Sequence, residues 1–426
     1  MNNLSKVAVA LAGVAGLAMM AETAQAQTVV VNGAGSSAGR QYAALSPVVL
    51  CDSNPPQTPL FFKDPGNPAN QTEWQCKVGG VNHVFRYSAS ASADGYLKQP
   101  SGAVGTATFL NTAGCPAGAA ATIGGRAVLQ SVCPAGTPTQ ILPVHWGGSD
   151  VKASSFRQTA FGTTLATPAS GHLTTTPTVI VPFSIVVGGN VRGKDPVTGN
   201  PTTLLSMTQE EIRQILAGNV TDWTQLGFTV SAGSTAIVTC QRTVGSGTLA
   251  ALDEIIMRTK FWTGGINGTA SATNIANASS SNVKSCVETN LNSIGYIDSD
   301  TVPNLLNGAR QVAISGMNVN QGAAGTGLAR LKDLRCGKYS YWADWNFVTR
   351  NAGVEVAPVN AIAGTNAAIT ALGDSMLNNN PLPDFWLSEN DTFVFKNDDR
   401  GPFNWLQFTN NGTDVTTVCK YTGSAQ

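Results

Sequence analysis

Apolar residues in this chain come in short runs, each closed by small or hydroxyl-bearing residues, and long helical stripes are few. Thr28 to Val31 predicts a strand leading into Gly33-Ala34-Gly35-Ser36-Ser37, with a helix following from about Ala38. Val81 to Tyr87 predicts a second strand, ending in a Ser/Ala-rich turn that runs through Ser92 to Asp94-Gly95. Ile141 to Trp146 predicts a third, entering Gly147-Gly148-Ser149-Asp150, and Val179 to Val187 a mostly apolar fourth. Small hydroxylated residues at the carboxyl ends of strands are where open α/β sheets hold ligands. Between these strands, residues 51–80 are rich in Pro, Asn and Gln and read as loop. A Gly/Ala/Pro-rich stretch over 100–140 reads as a second insertion.

The middle of the chain is more regular. Two overlapping capping boxes, Ser206/Gln209 and Thr208/Glu211, open a helix with the apolar face Ile212, Ile215 and Leu216, and Gly218 ends it. Asn219 to Trp223 reads as a turn. Thr235 to Cys240 predicts a strand, then Arg242 and a tight Gly245-Ser246-Gly247-Thr248 turn. A helix with Leu249, Leu252 and Ile256 on one face starts near Thr248. Such a turn leaves backbone N–H groups unpaired beside two hydroxyls and the positive end of a helix, an arrangement that suits a small anion. Arg242 adds a planar fork matched to tetrahedral oxyanions. The competing reading is an ordinary strand-to-helix turn with a surface arginine. Ile294 to Ile297 forms another apolar-glycine run; beyond about 310 the pattern is less clear, and the last forty residues look irregular.

Composition narrows the setting. Lys6, the apolar run Val7 to Met20 and the small-residue site Ala24-Gln25-Ala26 read as an export signal occupying 1–26. The expected location is the periplasm, with secretion as the variant. No cysteine precedes Cys51, so no lipid anchor is expected. All eight cysteines lie beyond the signal, and an even count in an oxidising compartment implies disulfides. Pairing of sequence neighbours is expected, Cys51–Cys76, Cys115–Cys133, Cys240–Cys286 and Cys336–Cys419, although spacing alone does not fix connectivity. Zinc is disfavoured because no Cys-x-x-Cys occurs and the three histidines stand apart from the cysteines. A net charge of +0 argues against nucleic acid or an anionic membrane as partner. A hydrophobic fraction of 42% supports a globular core, and roughly 400 residues after the signal suggest two domains.

Gly33-Ala34-Gly35-Ser36-Ser37, Gly148-Ser149-Asp150, Leu216-Ala217-Gly218-Asn219-Val220-Thr221-Asp222-Trp223, Arg242 with Gly245-Ser246-Gly247-Thr248, and Ile294-Gly295-Tyr296 occur in this order. Together they resemble the periplasmic phosphate-binding proteins of ABC transporters, over roughly residues 27–300 and interrupted by both insertions. The resemblance implies an α/β, two-lobed fold of the periplasmic-binding-protein type, each lobe a mixed sheet flanked by helices, with the ligand in the cleft between them. It implies one lobe from 27–180 and 300–426 and the other from 181–299. It also implies phosphate binding by Ser37, the backbone at Ala38, Ser92 and Asp150 from one lobe, and by Arg242, Ser246, Gly247 and Thr248 from the other. Ser88 and Ser90 share an alternating face with Ser92, which is chosen because Asp94-Gly95 follow it. No cofactor, metal or catalytic residue is implied; the partners would be inorganic phosphate and an ABC permease, met by a monomer that does not insert into a membrane. Asp150 suits a ligand that still carries a proton, as hydrogen phosphate does and sulfate does not, so an unpaired, repelled carboxylate would exclude sulfate. The family often has an acidic residue between Arg242 and Gly245; here Val244 stands there.

Other readings are weaker. Gly35-Ser36-Ser37-Ala38-Gly39 fits a nucleophile elbow, but it lies very early, and His172 is the last histidine, more than half the mature chain from the end. Gly33-x-Gly35-x-x-Ala38 with Asp52 mimics a dinucleotide fingerprint, yet an exported chain rarely meets such a cofactor. The same fold also serves in phosphatase-like, sensory or scaffold proteins, but paired carboxylates for hydrolysis are not evident and histidine is scarce.

Overall fold

A computed structural model describes residues 28–53, 58–66, 69–156, 158–194, 197–258, 270–319, 331–351, 364–378, 382–383, 385–388, 391–392, 394–396, 403–405, 409–410, 413–414 and 419. The export segment expected at 1–26 lies outside them, as does most of the irregular C-terminal stretch. The chain opens with β1 (Val29–Gly35) and α1 (Arg40–Leu45). Then come β2 (Leu60–Lys63), β3 (Gln71–Val78), β4 (Val81–Ala89), the one-turn α2 (Asp94–Leu97), β5 (Thr106–Leu110), β6 (Ala119–Ile123), β7 (Arg126–Val132), β8 (Thr139–Pro143) and β9 (Trp146–Ser149). A long strand, β10 (Leu173–Val187), leads to α3 (Gln209–Leu216), β11 (Val238–Arg242), α4 (Gly247–Ala251), β12 (Asn274–Asn277), α5 (Ser280–Thr289), β13 (Ser293–Asp298), β14 (Arg310–Ile314), β15 (Trp342–Arg350) and α6 (Thr365–Asn378).

Most of these strands form a large mixed sheet in the order β12-β11-β13-β10-β15-β9-β1-β4-β3-β2-β7-β6, joined by β14 off that path, while β5 and β8 pair separately. Strand β10 belongs to two halves of it. Leu173 to Pro182 pairs antiparallel with β15, whereas Phe183 to Val187 pairs with β13, and its last three residues also with β14. Val179 to Val181 and Phe183 to Val187 are all buried, so both faces of this strand are covered, which explains its near-continuous apolar run. In the first half-sheet β1 lies parallel to β4 and β9; in the second β11 lies parallel to β12 and β13. Parallel neighbours end on a common edge, and in each half that edge carries the glycine- and hydroxyl-rich turns noted above.

Residues 51–80 are not loop. Leu60-Phe61-Phe62 and the run around Trp74 form β2 and β3, which extend the first half-sheet from β4. Phe61 and Trp74 are buried against each other with ring centroids 4.7 Å apart. Among the described residues Pro59, Pro65 and Asn70 sit in the connections, whereas Gln71 and Gln75 belong to β3; the polar composition hid two short apolar runs. The 100–140 insertion likewise folds as two antiparallel pairs, β5 with β8 and β6 with β7, the second docked on β2. Four disulfides join Cys51–Cys76, Cys115–Cys133, Cys240–Cys286 and Cys336–Cys419. The Thr208/Glu211 capping box forms at α3. The Ser206/Gln209 box does not, because Ser206 and Met207 pair with Ala313 and Ile314 of β14. Among the described residues no helix is long and apolar enough to cross a membrane.

Candidate functional site

At the edge of the first half-sheet, β9 and α2 touch through glycines. A Cβ at Gly147 would lie 1.9 Å from the Gly95 carbonyl oxygen, so only glycine permits this approach. The approach carries Ser92, three residues before Gly95, onto the residue that follows β9. Ser92 Oγ donates to Asp150 Oδ2 at 2.7 Å, and Ser36 Oγ donates to Asp150 Oδ1. Ser36 is held in turn by its own N–H, which donates to Gly148 O at 2.8 Å, and by the Gly39 N–H on its hydroxyl, also 2.8 Å. Asp150 is 1% exposed. Burial pushes its carboxyl up to about 7, aided by the charge of Asp298 and opposed by both serine hydroxyls and Arg242.

At the edge of the second half-sheet, β11 delivers Arg242, which is buried. Its backbone N–H donates to the Tyr296 hydroxyl at 3.0 Å. Nη1 donates to Ser280 Oγ at 2.7 Å and Thr248 Oγ1 at 3.3 Å, and Nη2 to the Ala278 carbonyl at 3.3 Å and Ser37 Oγ at 3.4 Å. Its Nε is buried and has no hydrogen-bond partner among the described residues. Burial lowers the pKa of this guanidinium, and the charge of Asp298 opposes that shift. Thr248 Oγ1 donates to Asp298 Oδ1 at 3.3 Å. Ser246 caps α4 by accepting from the Leu249 N–H at 3.2 Å, and the helix continues as a π-helical turn through Met257.

The two edges meet. Ala93 N–H donates to Gly245 O at 3.0 Å, and Gln158 bonds both the Gly245 N–H and the Ser246 carbonyl. Gly247 lies so close to the first edge that a Cβ there would sit 2.5 Å from Ser92 Oγ and 2.6 Å from Asp150 Cβ. Ser37, Ala38, Ser92, Asp150, Arg242, Ser246, Gly247 and Thr248 are therefore all buried on the two facing edges. The arrangement opposes a cationic fork and hydroxyl donors to a carboxylate acceptor, the complement of a protonated oxyanion.

Reasoning from sequence missed several members. Ser36 lies inside the glycine-rich run already singled out, and Asp298 directly follows the Ile294–Ile297 run. Gln158 and Ser280 carried no signal, because only the folded chain brings them to Arg242 and its turn. Val244 supplies no carboxylate to Arg242; it packs against the core instead, and the charges acting on the arginine include Asp298 and Asp150. The nucleophile-elbow geometry is absent: His172 bonds the Gln99 carbonyl, His145 accepts from the Asn32 N–H, and His83 stacks on Phe85, leaving Ser37 without an imidazole.

The family model of the PBP superfamily domain matches residues 135–363. No curated protein matches the sequence. Among solved structures, a phosphate-binding protein from Stenotrophomonas maltophilia is similar at 16% identity, over 81% of this chain and 89% of that one, with a TM-score of 0.39. An ABC-type phosphate transport receptor from Vibrio cholerae is similar at 12% identity, over 83% of this chain and 100% of that one, with a TM-score of 0.37.

Proposed function

The chain belongs to the PBP superfamily, and from that premise we propose that it is an exported binding protein that captures inorganic phosphate between its two half-sheets for delivery to an ABC permease. The observation that carries this reading is Arg242: buried, reaching Ser37 on the opposite edge and Thr248 on its own, with an unpaired Nε and the Asp150 carboxylate facing its turn. Phosphate oxygens would take the guanidinium, the hydroxyls of Ser37, Ser92, Ser246 and Thr248, and the N–H groups at Ala38 and Gly247. Asp150 would accept the proton that hydrogen phosphate retains, and would repel sulfate.

The half-sheets are the proposed lobes. The hinge lies where β10 changes partner between Pro182 and Phe183, and the second lobe extends through β14, which pairs with that same end of β10. Opening would admit the anion, and contacts from both edges would favour the closed form that a permease recognises. The role is binding without turnover. Calorimetric titration tests it: phosphate binds at micromolar concentration or tighter, and sulfate at least about a hundredfold more weakly. No phosphate binding at millimolar concentration, or turnover of a simple phosphate ester, would contradict it.

A further inference from the structure

The turn between β1 and α1 carries a second arginine. Arg40 is the first residue of α1, four positions after Ser36, and is 2% exposed. Its Nε and Nη1 are buried without a hydrogen-bond partner, and among the described residues no carboxylate pairs with it. A buried guanidinium with neither acceptor nor counter-ion is strongly unfavourable unless an anion meets it. The charge of Arg40 acts on Arg242, on the facing edge, and on Tyr87 of β4, whose hydroxyl donates to the Ser36 carbonyl at 2.8 Å. The carboxylates nearby are engaged elsewhere: Asp150 by Ser36 and Ser92, Asp298 by Thr248. Two buried guanidiniums, one from each edge, repel each other, and an anion shared between them removes both the repulsion and the missing hydrogen bonds.

We propose that Arg40 is a second cationic contact of the cleft, and that the cleft is built for a tetrahedral oxyanion carrying two negative charges. Hydrogen phosphate fits, since it pairs both arginines and keeps one proton for Asp150. The inference rests on the phosphate reading above and adds the charge state of the ligand.

Arg40→Met, with Arg40→Lys beside it, is titrated with inorganic phosphate at about pH 5, where the monoanion prevails, and at about pH 8.5, where the dianion does. Asp150 is common to all three proteins, so its own titration cancels in the variant-to-wild-type ratio. The Met variant is expected to bind roughly tenfold to hundredfold more weakly at the alkaline pH and to lose distinctly less at the acid one. The Lys variant recovers part of the loss. The ligand-free Met variant melts above wild type, because an unpaired buried charge is gone. Arg40→Gln provides the same affinity comparison if the Met variant does not fold. Undiminished alkaline affinity overturns the inference, and so does an equal loss at both pH values, which marks a packing role. Binding by wild type that the variants leave intact defeats this inference alone; no binding by wild type defeats the phosphate reading and the inference with it.

Discussion

Asp150→Asn stabilises the ligand-free protein at about pH 8 by up to ~4 kcal/mol and leaves its stability near pH 4 unchanged. The cause is burial: the carboxyl titrates at about 7 in the folded chain, against about 4 when unfolded. Between those values the native state holds a proton that the unfolded state has lost. Stability is therefore full below about pH 4, falls as pH rises toward 7, and levels off above it. An asparagine has nothing to ionise, and its amide can still bond Ser36 and Ser92, accepting from one and donating to the other. Urea unfolding of both proteins at the two pH values measures the effect; a variant no more stable than wild type at pH 8 would refute the assignment. The same change replaces a pure acceptor by a group that can also donate, so the preference for phosphate over sulfate should shrink by roughly tenfold or more.

Gly247→Ala weakens phosphate binding by roughly tenfold to hundredfold while changing the melting temperature of the ligand-free protein little. The added methyl would sit 2.5 Å from Ser92 Oγ and 2.6 Å from both Asp150 Cβ and Oδ2. Serine can rotate away, but the Asp150 Cβ is fixed to its backbone. All three atoms belong to the opposite edge, so the clash is relieved by parting the edges instead of by disturbing either core. That relief removes the closed arrangement that two-sided binding requires. Calorimetry with thermal unfolding on the same samples decides the matter. A large fall in melting temperature would mean that the two edges form one rigid core, and undiminished affinity would mean that closure does not depend on this contact.

The gathering of the candidate site residues on two facing edges was legible because they sit at strand ends. Gly33 to Ser37, Gly147 to Asp150 and Arg242 to Thr248 each follow an apolar run, and parallel pairing puts such ends on one edge. The choice of Ser92 over Ser88 and Ser90 rested on the following Asp94-Gly95, and the contact of Gly95 with Gly147 is what brings Ser92 to Asp150. Strand β15 was not legible: Trp342 to Arg350 is largely buried between β10 and β9, so it shows no clean alternation of apolar and polar residues. Strands β2 and β3 were hidden by the polar connections around them. Arg40 was visible but not weighed, since an arginine after a turn ordinarily faces solvent, and only the fold reveals that this one is buried without a partner.

In the proposed mode one phosphate is held between the two half-sheets by Arg242 on one side and Asp150 on the other. A crystal structure grown with phosphate at about pH 8 tests it most directly. Tetrahedral density is expected within hydrogen-bonding distance of the Arg242 guanidinium and Thr248, and of Ser37 and the Asp150 carboxylate across the cleft. Density held by one edge alone, or phosphate bound away from Arg242, would contradict it.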